Sequence, residues 1–128
     1  MPPCNVDQRG PTFRALLEKY KKAGFPHIED DVTEALTAIA QDYRNAKHGE
    51  SIPRCKDKVF KYRQKSTDQR RGSTGGFRII GYYDKESNTL YPIFIYPKTE
   101  RSDIDVESIK ELVEELLKSI DPQAEINF

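Results

Sequence analysis

The 128 residues include only two cysteines and two histidines, and no long apolar run. Cys4 and Cys55 cannot make the disulfide framework of a small secreted domain, so a reduced pair is expected. His27 and His48 lie 21 positions apart, and neither has metal-ligand spacing to a cysteine. No metal centre is therefore expected. No apolar stretch approaches the roughly 18 residues of a membrane span, and Met1 to Gly10 lacks the apolar core of a signal peptide. These absences lead to the expectation of a soluble, cytoplasmic chain with no membrane partner. Gly72, Gly75 and Gly76 form no phosphate-cradling or dinucleotide loop. Turn geometry with positive φ is the simpler reading of Gly75 and Gly76. Nothing marks a Ser/His/Asp or Cys/His nucleophile, and no small-molecule cofactor is expected.

The apolar fraction is low, at 36%, and the charged fraction is high, at 33%. Such a chain can bury one modest core in one domain. The net charge is zero, but its distribution is uneven. Residues 53–101 carry 12 Lys/Arg against 5 Asp/Glu, whereas residues 102–128 carry 2 against 8. A basic middle followed by an acidic tail suggests a polyanion-binding surface; a solvated surface whose charges balance locally is the alternative.

Residues 1–11 hold three prolines and few apolar residues, and read as a flexible arm. The domain then spans 12–128. Phe13, Leu16, Leu17 and Tyr20 are spaced as a helix face, which Gly24 and Pro26 end. A second helix is expected from Asp30 or Asp31, either of which could cap it, to about His48 and Gly49. Its stripe is Val32, Ala35, Leu36, Ile39, Ala40 and Tyr43. From Val59 the pattern alternates, and Val59–Lys65, Phe77–Tyr83 and Thr89–Tyr96 read as strands. Pro92 inside the third suggests an edge or an N–H that needs no ladder partner. Val106, Ile109, Leu112, Val113, Leu116, Leu117 and Ile120 line one face of a last helix, with Asp105 as its N-cap. Segregated helices and strands imply an α+β fold: two N-terminal helices, an antiparallel three- to four-stranded sheet and a C-terminal amphipathic helix.

If Ser66–Gly76 closes the first hairpin symmetrically, Arg63 faces Arg78 and Lys61 faces Ile80. If Asp84–Asn88 closes the second, Arg78 faces Ile95 and Phe77 faces Tyr96. Opposed residues share a sheet face, so Lys61, Arg63 and Arg78 would project together. Cations so placed repel one another, and an anion such as phosphate among them would relieve this. Lys98, Arg70, Arg71 and Arg101 could extend the patch, with planar guanidinium forks suited to phosphate oxygens. In the bland alternative, Lys61 and Arg63 point to water and Arg78 pairs with Glu100 or another acid.

The run GGFRIIGYYD (Gly75 to Asp84), the strand YPIFIYPKTERSDI (Tyr91 to Ile104) and the helix after it resemble the C-terminal half of RelE/ParE-superfamily toxins. VFKYR (Val59 to Arg63) resembles the preceding strand of the RelE and HigB branches. The resemblance covers about 60 residues and implies a toxin of a type II toxin–antitoxin system, partnered by a cognate antitoxin protein. It implies a metal-independent endoribonuclease acting on mRNA, with the ribosome as partner. The 2′-hydroxyl of the RNA would attack the adjacent phosphate. Position by position, Lys61 and Arg63 match the family's basic pair, Arg78 the arginine on the scissile phosphate, and Lys98 and Arg101 the basic residues after the last strand. The catalytic set so implied is Lys61, Arg63, Arg78 and Lys98, with Lys61 as base. Arg54, Lys56, Lys58, Arg70, Arg71 and Arg101 are the RNA-binding candidates. Thr99 stands where a second arginine is common, and Asp105 where a tyrosine is common, so the general acid is unassigned. Two other functions compete: a ParE-like inhibitor of DNA gyrase, and a catalytically degenerate RelE-fold binding module.

Overall fold

The computed structural model describes residues 3–69 and 75–124. Pro11 opens the first helix, where a missing N–H costs nothing and φ is already helical. In chain order the elements are β1 (Asn5–Val6), α1 (Pro11–Lys22), α2 (Ile28–Gln41), a 3-10 turn (Ala46–His48), β2 (Glu50–Ser51), β3 (Val59–Gln64), β4 (Phe77–Asp84), β5 (Thr89–Pro97) and α3 (Val106–Ile120). The class is α+β. The sheet has five strands in the order β1-β5-β4-β3-β2, and β1 runs parallel to β5 while the other pairs are antiparallel.

This corrects the expected three- to four-stranded antiparallel sheet. The two extra strands are two residues each, too short to show alternation. From Cys4 on, the segment expected as a flexible arm is hydrogen-bonded to the rest of the fold. Cys4 donates its N–H to Ala40 O of α2, while Asn5 donates to Asn88 O and Asp7 to Leu90 O, so the N-terminal segment is bonded to α2 and along the start of β5. Composition missed these bonds because they are made by backbone.

α2 begins at Ile28, earlier than expected, and Asp30 and Asp31 lie in its first turn rather than at its cap. Asp68, from the β3–β4 connection, accepts the His27 N–H at 3.0 Å instead. Asp31 is buried and accepts the Thr67 N–H at 2.8 Å and its hydroxyl at 2.5 Å. The helix stops at Gln41, short of His48. Tyr43 continues the apolar spacing because it stays in the same core, although the backbone has already turned.

Strand alternation divides the core. On one side Phe13, Leu17, Val32, Leu36 and Ile39 pack on Phe60, Tyr62, Phe77, Ile79 and Ile95. On the other, Ile109, Val113 and Leu116 of α3, with Ile104, pack on Val59, Ile80, Tyr82, Ile93 and Tyr96. Asp105 caps α3 as expected, accepting the Ser108 N–H at 3.2 Å. Among the described residues no helix is long and apolar enough to cross a membrane.

The β4–β5 ladder contains a bulge. Gly81 pairs Pro92, but Ile80 pairs Phe94, leaving Ile93 over. Near the turn the register is as the loop length predicts. Beyond the bulge it slips by one, so Arg78 faces Tyr96 and Phe77 faces Pro97. The Leu90 carbonyl accepts from Asp7 across the β1 edge. Pro92, two residues on, faces the same edge where β1 has ended, so its missing N–H leaves no gap in the ladder.

Candidate functional site

Three cations gather on the α3 side of the sheet. Odd positions of β3 share the face of buried Val59, and even positions of β4 share that of Ile80. The register Arg63↔Arg78 and Lys61↔Ile80 then sets Lys61, Arg63 and Arg78 on adjacent strands, as the loop symmetry predicts. α3 packs on β5, which leaves the β3 side of this face to the charged residues.

Lys61 is not directed simply at water. Its Nζ lies 3.3 Å from Glu50 Oε1 and 3.9 Å from Asp103 Oδ1. Glu50 is delivered by β2, where it is the register partner of Lys61. Asp103 comes from the segment between β5 and α3. Arg78 is buried, and its Nη1 donates to the Phe77 carbonyl at 3.3 Å. Burial, and after it the positive charge of Arg63, holds its pKa below the ordinary arginine value, while Tyr96 and the Glu50 carboxylate act the other way. Glu100, the alternative partner for Arg78, lies instead beside Tyr20 of α1. Burial, reinforced by that carboxylate, pushes the Tyr20 phenol up to about 12.

Tyr96 completes the cluster. It is wholly buried, and its hydroxyl has no hydrogen-bond partner among the described residues. Burial pushes its phenol up to about 12; Asp103 and Glu50 add to the effect, and Arg78 and Arg101 oppose it. The two carboxylates that pair with Lys61, Glu50 and Asp103, are thus also among the charges that act on this hydroxyl. Arg101 is exposed and places its guanidinium 5.3 Å from the Phe94 ring centroid and 6.0 Å from that of Tyr96.

The remaining candidates separate. Lys98 Nζ donates to the Ser102 carbonyl at 3.3 Å, holding the segment that carries Arg101 and Asp103. Arg54 lines a groove with Ser102, Asp103 and Ile104, beside the cluster. Lys56 and Lys58 line a different groove, with Tyr43, Tyr83 and Glu86 at the β4–β5 turn, and are not brought to Lys61. Arg70 and Arg71 lie outside the described residues. Asp105 is committed to capping. It also accepts the Ser108 hydroxyl at 2.6 Å.

Gly76 is required by close approach rather than by φ. The only positive-φ glycine among the described residues is Gly24, whereas a Cβ on Gly76 would sit 2.1 Å from the Gln64 carbonyl oxygen. Sequence reasoning overlooked Glu50 and Tyr96 as site residues. Glu50 sits in too short a strand to register, and Tyr96 is moved beside Arg78 by the bulge. The irregularity was signalled only by Pro92. No family model matches the chain, and no curated protein matches it either.

Proposed function

We propose that the chain is the toxin of a type II toxin–antitoxin system with a RelE-like fold, acting in the cytoplasm as a metal-independent endoribonuclease on mRNA at the ribosome. The observation that carries this reading is the convergence of Lys61, Arg63 and Arg78 on one sheet face beside a carboxylate. A scissile phosphate among them would gather negative charge as the 2′-hydroxyl attacks, and prearranged cations stabilise that charge. Arg78 would hold the phosphate, and Arg63 and Lys61 would share the developing charge. Lys98 and Arg101 would hold the RNA strand alongside.

The role of Lys61 changes from the expected one. With Glu50 at 3.3 Å and Asp103 at 3.9 Å, it is an ion-paired ammonium, suited to charge stabilisation rather than proton abstraction. Glu50, half-exposed at the rim, is the better acceptor for the 2′-hydroxyl proton. A cognate antitoxin would cover this face in the resting cell. A ParE-like gyrase inhibitor needs no phosphate-clamping face, so the cation cluster favours the nuclease.

Induced expression in a bacterial host tests the reading, comparing the chain with a Lys61→Ala, Arg78→Ala double variant and mapping mRNA 5′-ends by primer extension. Growth arrest with new 5′-ends that vanish in the variant is expected. Arrest with intact mRNA would turn the reading to the gyrase inhibitor. Absence of arrest from folded protein would turn it to a binding module.

A further inference from the structure

Resting on that reading, we infer that the Tyr96 hydroxyl is the general acid of the cleavage, donating its proton to the departing 5′-oxygen. A buried hydroxyl without a partner costs stability that a phenylalanine would not incur. Tyr96 is at 0% exposure, and among the described residues nothing accepts from or donates to its oxygen. Its position makes the cost intelligible. It is the register partner of Arg78, and the charges felt at its oxygen are those of Asp103, Arg78, Arg101 and Glu50. A phosphate held by Arg78 would bring an acceptor oxygen to the unpartnered donor.

Access runs through the Lys98–Asp103 segment. Arg101 covers the rings of Phe94 and Tyr96, and Asp103 is tethered to Lys61 at 3.9 Å. Residues 99–103 are exposed. An incoming phosphate competes with Asp103 for Lys61 and with the aromatic rings for Arg101, so the anion that needs Tyr96 also draws back its cover.

The step balances without a further reagent. The 2′-oxygen forms its bond to phosphorus as its proton passes to the Glu50 carboxylate. The bond from phosphorus to the 5′-oxygen breaks, and that oxygen takes the Tyr96 proton. The products are a 2′,3′-cyclic phosphate and a 5′-hydroxyl. The phenolate and the protonated Glu50 then exchange protons with water.

The test is single-turnover cleavage of mRNA on programmed ribosomes by purified wild-type chain and Tyr96→Phe, with RNA affinity and urea denaturation measured in parallel. The variant is expected to lose about 100-fold in cleavage rate, with unchanged affinity and undiminished stability. A cleavage rate close to wild type overturns the role of Tyr96 and leaves the nuclease reading standing. An inactive wild type overturns both. Should Tyr96→Phe fail to fold, the hydroxyl is a structural group and the inference falls. A fluorinated tyrosine at position 96 gives a second readout, since its phenol is more acidic than tyrosine's. The alkaline limb of the pH–rate profile should move to lower pH, and a limb that stays in place overturns the assignment.

Discussion

Arg63 and Arg78 are register partners across β3 and β4, so two guanidinium groups share one face of the sheet with Arg78 buried. Like charges directly opposed weaken a strand pair. Arg63→Gln is therefore expected to raise stability by about 0.5 kcal/mol, read as a higher urea midpoint at unchanged slope. The same change should weaken RNA binding about tenfold, the value of one charge-assisted contact. Opposite signs in stability and binding separate a ligand-directed arginine from one that merely decorates the sheet.

Glu50 and Asp103 both reach Lys61, yet their replacements should behave differently. Glu50→Gln removes the proposed proton acceptor and should lower the cleavage rate about 100-fold while RNA affinity holds or rises. The measurement is a single-turnover rate at saturating RNA.

Asp103→Asn removes a carboxylate that competes with phosphate for Lys61. At about 4 Å in a wet setting, one charge pair amounts to about 1 kcal/mol. RNA should bind about fivefold tighter by titration, at little cost in stability because exposed ion pairs contribute little. Weaker binding would mean that Asp103 positions Lys61 rather than screens it.

The cation cluster was legible in the sequence because it depends on one symmetric connection: Arg63 meets Arg78 wherever residues 64 to 77 are shared evenly between two strands. Tyr96 was not legible. Counting from the Asp84–Asn88 turn sets it opposite Phe77, and only the residue left over at Ile93 moves it beside Arg78. One bulge thus decides which side chain meets the arginine, and a bulge has no pattern of its own beyond the nearby proline. The helices were legible from their apolar spacing. The cap of α3 at Asp105 was legible too, but the ends of α2 were not, because that helix is tied at its start by Asp68, 41 positions away. Neither short strand could announce itself, and β2 is the one that brings Glu50.

Gly76 offers a prediction about the fold alone. Its missing Cβ makes room for the Gln64 carbonyl, with the Gln64 carbon and Lys65 Cα each 3.0 Å from where that Cβ would lie. All three neighbours are backbone, so neither strand can yield cheaply. Gly76→Ala should cost about 3 kcal/mol in urea denaturation. A cost near zero would mean that the β3–β4 end is looser than this packing requires.

The His27–Asp68 contact should make stability depend on pH. His27 Nδ1 lies 2.7 Å from Asp68 Oδ1. The hydrogen bond to Asp68, and after it that carboxylate's charge, raises the His27 pKa above 6.5. A raised folded pKa means that the folded chain holds the proton more tightly than the unfolded chain. The contribution is therefore complete below the unfolded value and is lost as pH rises through the folded one. Comparison of the wild type with Asp68→Asn should show a difference in urea midpoint that is largest near pH 5.5 and smaller near pH 8.5, conditions on either side of the usual histidine range at about 6.5. The difference should not vanish at the upper pH, because asparagine offers one acceptor oxygen where Asp68 uses two, Oδ2 for the His27 backbone N–H and Oδ1 for the imidazole. His27→Gln should flatten the pH dependence while keeping that backbone bond. A difference constant across the range would show that the imidazole contributes no charge to the contact, and that Asp68 holds α2 through the backbone alone.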